Sequence, residues 1–88
     1  MAKKEVEFLP VNESVSLTEF PLAVTLMCLN CPLLAIDENP RTPDRVDFVF
    51  SRERAAMLIQ AYWAGSLLVD PKQFWNISRE LKSRIRQR

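Results

Sequence analysis

The sequence predicts an α+β fold, in which a helix is followed by a two-stranded antiparallel hairpin and then by two helices packed on the hairpin. Apolar and polar residues alternate over residues 45–50, as in a strand with one buried face. Two later segments repeat apolar residues every three or four positions, and both carry residues typical of helix boundaries. A chain of 88 residues is long enough for one core. We therefore predict a single small domain over residues 18–88, preceded by an N-terminal arm or short edge strand over residues 1–17.

An additional N-terminal strand is predicted over residues 3–9. Val6 and Phe8 alternate there with polar residues, as expected for a short strand with one apolar face. Pro10 and the polar residues 12–16 are expected to end this strand.

The first helix is predicted to begin with Thr18 as its N-cap. This start places Glu19 beside the positive end of the helix dipole and Pro21 in the first turn, where a missing N–H costs little. The alternative start at Ser16 forms a capping box with Glu19 but moves Pro21 to the fifth position, where its missing donor breaks a helical bond. The face expected to be buried consists of Phe20, Ala23, Val24 and Met27.

Two strands are predicted after this helix, which should end near Leu29 because Asn30 tolerates a left-handed backbone. The apolar run 33–36 and the alternating segment 45–50 are both typical of strands. The connection 37–44 is polar and rich in proline, so we expect an extended loop that joins the strands as a hairpin.

Two more helices follow the hairpin. Ser51 is predicted to cap the first, and Gly65, the only glycine, should end it. Asp70 and Pro71 supply the N-cap and first residue of the last helix. The inward residues of these two helices are predicted to be Ala55, Leu58, Ile59 and Tyr62, followed by Phe74, Ile77, Leu81 and Ile85.

Over residues 18–84 the chain resembles an uncharacterised family of small prokaryotic and phage proteins, catalogued as domain of unknown function 5659. The resemblance rests on the capped first helix and on four motifs: Asp47-Phe48-Val49-Phe50, Tyr62-Trp63 with Gly65, Val69-Asp70-Pro71, and Leu81-Lys82-Ser83-Arg84. The family would imply the same order of elements, and it supplies no active site.

Composition indicates an ordinary globular chain, with 48% hydrophobic and 26% charged residues. No apolar run approaches the roughly 18 residues of a membrane helix, so we predict no membrane association. The start of the chain is charged and lacks the apolar core of a secretory signal, which favours a cytoplasmic location with reduced cysteines. The charge is unevenly distributed: residues 1–50 hold four bases and eight acids, whereas residues 71–88 hold six bases and one acid. Such a dipolar surface can meet an anionic partner at the C-terminal end, which could equally pair with the acidic half of the same chain.

Enzymatic activity is not expected. The chain has no histidine, which excludes Ser-His and Cys-His nucleophile pairs, and a single glycine cannot form a glycine-rich phosphate loop. We predict no catalytic residues, no cofactor and no small-molecule substrate.

Two clusters of side chains are candidate metal sites. Cys28 and Cys31 have the spacing of zinc or redox pairs, but one chain with two cysteines and no histidine cannot complete a four-ligand site; only a dimer could. Both cysteines are expected at a helix C-terminus, where the helix dipole does not lower the pKa of a thiol as it does at an N-terminus. We therefore interpret them as small apolar side chains. A solvated turn is the interpretation for the carboxylates near the hairpin, namely Asp37, Glu38, Asp44 and Asp47.

Two binding functions remain. The first is interaction with a protein partner or self-association, for which the exposed-looking link offers Leu67, Leu68 and Val69. The alternative is sequence-independent binding of single-stranded DNA or RNA, for which one flank of the last helix carries Lys72, Trp75, Arg79, Lys82 and Arg86. A competing interpretation of that flank is that Trp75 widens the buried stripe and the cations are merely solvated.

Overall fold

A computed structural model describes residues 13–38 and 45–87 of the chain. Within these ranges it has three strands and three helices, in the order β1 (Ser14–Leu17), α1 (Phe20–Cys28), β2 (Leu33–Glu38), β3 (Val46–Ser51), α2 (Arg52–Trp63) and α3 (Pro71–Arg86). The predicted α+β fold is therefore confirmed. No helix in the described part of the chain is both long enough and apolar enough to cross a membrane.

The sheet has the strand order β1-β3-β2, and both pairs are antiparallel. Phe48 and Phe50 of β3 are buried, and the register places Leu17 of β1 opposite Phe48. The irregular register of β2 between Leu33 and Ala35 is typical of a β-bulge. One face of this sheet thus supplies much of the core.

Strand β1 corrects one prediction. Residues 12–16 were expected to end a strand because they are polar, yet Ser14 to Ser16 lie inside β1. Their pairing with β3 satisfies the backbone, and the period of two turns Val15 and Leu17 toward the core while the serines face outward. The strand predicted over residues 3–9 lies outside the described residues.

The hairpin of β2 and β3 is confirmed, but its first strand is longer than predicted. Asp37 and Glu38 were assigned to the connecting loop, whereas both belong to β2. Asp37 lies opposite Asp47, and Glu38 lies opposite Val46. Backbone pairing with β3 therefore extends the strand into a polar sequence, which side-chain polarity alone did not indicate.

The start of α1 differs from both predicted starts. Neither Thr18 nor Ser16 is the N-cap, because that position is held by Glu19, whose backbone is extended and whose side chain makes no capping hydrogen bond. Strand β1 keeps the chain extended as far as Leu17, so the helix begins later than the capping signals suggest. Pro21 still lies in the first turn, where its missing N–H is tolerated.

Helix α1 is buried around most of its circumference rather than along one face. Ala23 and Val24 are buried as predicted, while Phe20 and Met27 are only partly buried. The additional buried residues are Leu22, Thr25, Leu26 and Cys28. Because α1 contacts β1, α2 and α3, it is the central helix of the domain. The hydroxyl of Thr25 donates to the carbonyl of Pro21 at 2.8 Å, which satisfies its polar atom in these apolar surroundings.

Both α1 and α2 end in a Schellman motif. After α1, the N–H of Cys31 donates to the carbonyl of Leu26 at 3.0 Å, and Asn30 has a φ of 67°. After α2, the N–H of Ser66 donates to the carbonyl of Ala61 at 3.0 Å, and Gly65 has a φ of 74°. These bonds satisfy carbonyls at the helix ends, and they confirm the predicted roles of the asparagine and the glycine.

Gly65→Ala is expected to destabilise the protein by about 1 kcal/mol, because a side chain is strained at positive φ. An added Cβ would meet no atom within 4 Å, so the effect should be conformational rather than steric. Urea unfolding of both proteins measures it. Asn30→Gly is the matched control at the equivalent position of α1 and should be neutral or slightly stabilising. An unchanged stability in Gly65→Ala would contradict the left-handed conformation.

Helix α3 packs mainly on α1, and the contacts at their opposite ends indicate that the two helices run antiparallel. The ammonium of Lys82, late in α3, lies 5.6 Å from the centre of the Phe20 ring at the start of α1. At the other end of this helix pair, Asp70 at the start of α3 lies near Cys28 at the end of α1, and its charge raises the pKa of the Cys28 thiol. Helix α3 thereby presents its far side to solvent.

Candidate nucleic-acid interface

The sequence of α3 separates an inward from an outward side. Asp70 caps the helix as predicted, since its carboxylate accepts a hydrogen bond from the N–H of Gln73 at 2.8 Å. Leu81 is completely buried and Ser78 is nearly so. Phe74, Ile77 and Ile85 are partly buried and pack against the core. The predicted inward stripe is confirmed, and it determines which residues of α3 lie on the outward side.

Trp75 lies outside this stripe. Its side chain is 59% exposed, so the interpretation that it widens the buried stripe is wrong. At 100° per residue, Lys72, Trp75, Arg79 and Arg86 fall within a sector of about 60°. All four side chains are exposed. The outward side of α3 therefore combines an accessible indole with three cations, and we call Lys72, Trp75, Arg79, Lys82 and Arg86 the basic face.

Part of the basic face surrounds a shallow depression of about 410 Å³. Arg79, Lys82 and Arg86 line it, whereas Lys72 and Trp75 do not. The other lining residues, which the sequence interpretation did not select, are Asn76, Glu80 and Ser83. Asn76 and Ser83 lie three residues before and four residues after Arg79, and Glu80 lies four residues after Asn76, so their spacing would have indicated a shared side of the helix.

Lys82 occupies the boundary between the basic face and α1. It is exposed, but its ammonium lies over the ring of Phe20 in a cation–π contact. Its charge is therefore directed toward α1, whereas Arg79 and Arg86 extend from the outward side. Phe20 itself contacts Phe48 edge-to-face, with ring centres 6.1 Å apart. Lys82 therefore contacts a ring that packs directly on the buried core.

The predicted interface in the link between α2 and α3 is only partly available. Leu68 is 90% exposed, but Leu67 and Val69 are partly buried, and Val69 packs against the core. A single exposed leucine is a common feature of protein surfaces. The link by itself therefore offers a small apolar contact.

The chain matches no family model, no curated protein and no solved structure. The resemblance to the family of unknown function stays a prediction.

The two cysteines have a structural explanation. Both are free and buried: Cys28 is the last residue of α1, and Cys31 is the residue of the Schellman motif that normally packs back on the helix. Burial raises the pKa of the Cys28 thiol, and the charge of Asp70 raises it further. Burial also raises the pKa of Cys31, although nearby Arg54 acts in the opposite direction. These thiols are protonated at neutral pH and are poor nucleophiles.

The carboxylates of the hairpin do not assemble into a metal site within the described residues, where no group of three possible ligands is found. Asp37 and Asp47 face each other across β2 and β3, an arrangement that like charges make unfavourable. One carboxylate oxygen of Asp47 is buried without a hydrogen-bond partner. Asp44 lies outside the described residues, and Glu38 has an interaction partner.

Proposed function

We propose that this protein is a non-enzymatic accessory protein that binds single-stranded nucleic acid through the basic face of α3, without sequence preference. The observation that carries the proposal is the exposure of Trp75 within a set of cations. A solvated cationic helix has no need of an exposed indole, whereas a stacking site for an unpaired base does. Duplex DNA keeps its bases stacked and would leave Trp75 without a role.

The dimensions of the basic face suit a short single strand. Lys72 and Arg86 are separated by about 21 Å along the helix axis, which corresponds to roughly four nucleotides, the lower end of known single-strand sites. The cations neutralise phosphates, and Trp75 stacks on one base at a gain of roughly 1 to 3 kcal/mol. Base stacking and phosphate contacts do not read base edges, so binding should be insensitive to sequence.

Binding is expected to depend strongly on salt. With three outward cations on the face, since the charge of Lys82 is directed toward α1, the logarithm of affinity should fall with a slope of about −2 against the logarithm of salt concentration, or roughly 20-fold between 50 and 200 mM. Fluorescence anisotropy of a labelled oligonucleotide of about twelve nucleotides measures this dependence.

Arg79→Glu combined with Trp75→Ala should lower the affinity at least tenfold.

Arg45→Glu is the matched control, because Arg45 is exposed, lies before β3 and is not part of the basic face. It makes the same change in net charge as Arg79→Glu, yet it should alter affinity less. In a Trp63→Phe background, Trp75 is the remaining tryptophan, and its fluorescence should be quenched on stacking. No binding at about 50 mM salt, or equal losses in Arg45→Glu and Arg79→Glu, would contradict the proposal.

Protein interaction is the second candidate function. Leu68 in the link is 90% exposed, and Met57 and Trp63 of α2 are 81% and 63% exposed. These apolar side chains do not belong to the basic face. They support an apolar contact that can coexist with nucleic-acid binding.

A further inference from the structure

The basic face has an acid at its edge. Glu80 is the only acidic residue among residues 71–88, and its side chain is exposed. It lines the depression of about 410 Å³ together with Arg79, Lys82 and Arg86. A carboxylate at this place repels phosphates and lowers the affinity of the face for any polyanion. In a site for single strands, the carboxylate must therefore lie beside a part of the strand other than its phosphates.

The remaining polar residues of the depression are neighbours of Glu80. Asn76 lies four residues before it and Ser83 three residues after it, and both side chains are exposed. Residues at these spacings lie next to one another on a helix surface. A carboxylate only accepts hydrogen bonds, whereas an amide and a hydroxyl both accept and donate. We call Asn76, Glu80 and Ser83 the polar patch, because together they can accept a hydrogen bond from a ligand and return one.

The position of the polar patch relative to Trp75 indicates which part of a strand lies over it. At 100° per residue, Trp75, Arg79, Asn76 and Glu80 follow one another around α3 over about 140°. Glu80 is also about 7.5 Å further along the helix axis than Trp75, which is roughly the length of one nucleotide. A base stacked on Trp75 with its phosphate at Arg79 therefore leaves the sugar of the adjoining nucleotide over the polar patch.

The chemistry of single strands identifies the group that Glu80 can bind there. Phosphates carry no hydrogen-bond donor at neutral pH, and the donors of the bases differ from one base to the next. A site that relied on base donors would read sequence, whereas stacking and phosphate contacts do not. The 2′-hydroxyl of ribose is a donor that every ribonucleotide carries, and DNA lacks it.

We propose that the polar patch recognises the ribose 2′-hydroxyl, so that the basic face prefers single-stranded RNA to single-stranded DNA. This inference rests on the proposed binding of single strands and adds the class of nucleic acid. Glu80 accepts the hydrogen bond of the 2′-hydroxyl, and Asn76 or Ser83 donates to the 2′ oxygen. A deoxyribose offers no hydrogen to Glu80, so in a complex with DNA the carboxylate contributes only its repulsion of phosphates.

Oligouridylate and oligodeoxyuridylate of about twelve nucleotides test the proposal, because the two strands differ only at the 2′ position. Fluorescence anisotropy at about 50 mM salt should show at least about fivefold tighter binding of the ribo strand. A 2′-fluoro strand lacks the hydroxyl hydrogen and should bind like the deoxy strand. Equal affinities for the ribo and deoxy strands would overturn the RNA preference and leave the proposed function standing. Binding of neither strand would contradict both.

Substitutions of Glu80 assign the preference to this residue. Glu80→Ala should bind the deoxy strand about two- to threefold more tightly, because the repulsion of phosphates is removed. It loses the hydrogen bond to the ribo strand, so the ratio of the two affinities should fall below about twofold. Glu80→Gln keeps an acceptor oxygen without the charge, and it should retain a ratio above about twofold. Alanine and glutamine both favour helix, so circular dichroism should give native spectra for both variants.

Glu53→Ala is the matched control. Glu53 is exposed in the first turn of α2, away from the basic face, and its removal makes the same change in net charge as Glu80→Ala. It should leave the ratio of ribo to deoxy affinity unchanged. An RNA preference that persists in Glu80→Ala, or that falls equally in Glu53→Ala, would overturn the assignment to the polar patch.

Discussion

Phe48→Ala is expected to lower the free energy of unfolding by about 3 to 5 kcal/mol, the range for removing a large aromatic side chain from a core. Phe48 is only 2% exposed and lies on the central strand of the sheet. Its cross-strand partners are Leu17 on β1 and Ile36 on β2, and its ring meets that of Phe20. Removing the ring therefore opens a cavity where both edge strands and α1 converge.

Urea unfolding followed by circular dichroism measures this loss. Leu68→Ala is the control, because a side chain that is 90% exposed should change stability by no more than about 0.5 kcal/mol. A loss below about 1 kcal/mol for Phe48→Ala would contradict its central position. Domains of this size have stabilities of about 5 to 15 kcal/mol, so this loss is a large fraction of the total.

The sequence predicted those parts of the fold that depend on local chemistry. Asp70 and Pro71 define the start of α3 because a cap and a proline act within one turn. Asn30 and Gly65 define helix ends because positive φ is a property of the residue itself. Strand β1 could not be predicted in the same way. Its serines acquire strand structure by pairing with β3, more than thirty residues later in the chain.

In the candidate sites, too, some features follow from local sequence and others depend on packing between distant elements. The angular position of Trp75 on α3 could be calculated from sequence, because Asp70 and the inward stripe fix the register of the helix. Lys82 could not be separated from the other cations, since its contact with Phe20 depends on how α3 packs on α1.

Leu81→Ala is expected to lower the free energy of unfolding by about 2 to 5 kcal/mol. Leu81 is the one apolar residue of α3 that is fully buried, and α3 joins the domain mainly through α1. Alanine is the strongest helix former, so the loss cannot come from helix propensity. It would measure the anchoring of α3 on the core, and urea unfolding is the appropriate experiment.

Ser83→Ala is the matched control for Leu81→Ala, because Ser83 lies two residues later on the exposed side of the same helix. It should change stability by no more than about 0.5 kcal/mol. Equal effects of the two substitutions would show that α3 is not anchored through Leu81. The residues of the basic face share a single helix, so their positions relative to one another do not depend on how α3 packs on α1. The packing of α3 determines only that this side of the helix is exposed to solvent. Leu81→Ala at low temperature, where the variant is still folded, should therefore retain oligonucleotide binding that Trp75→Ala with Arg79→Glu loses, which separates folding from recognition.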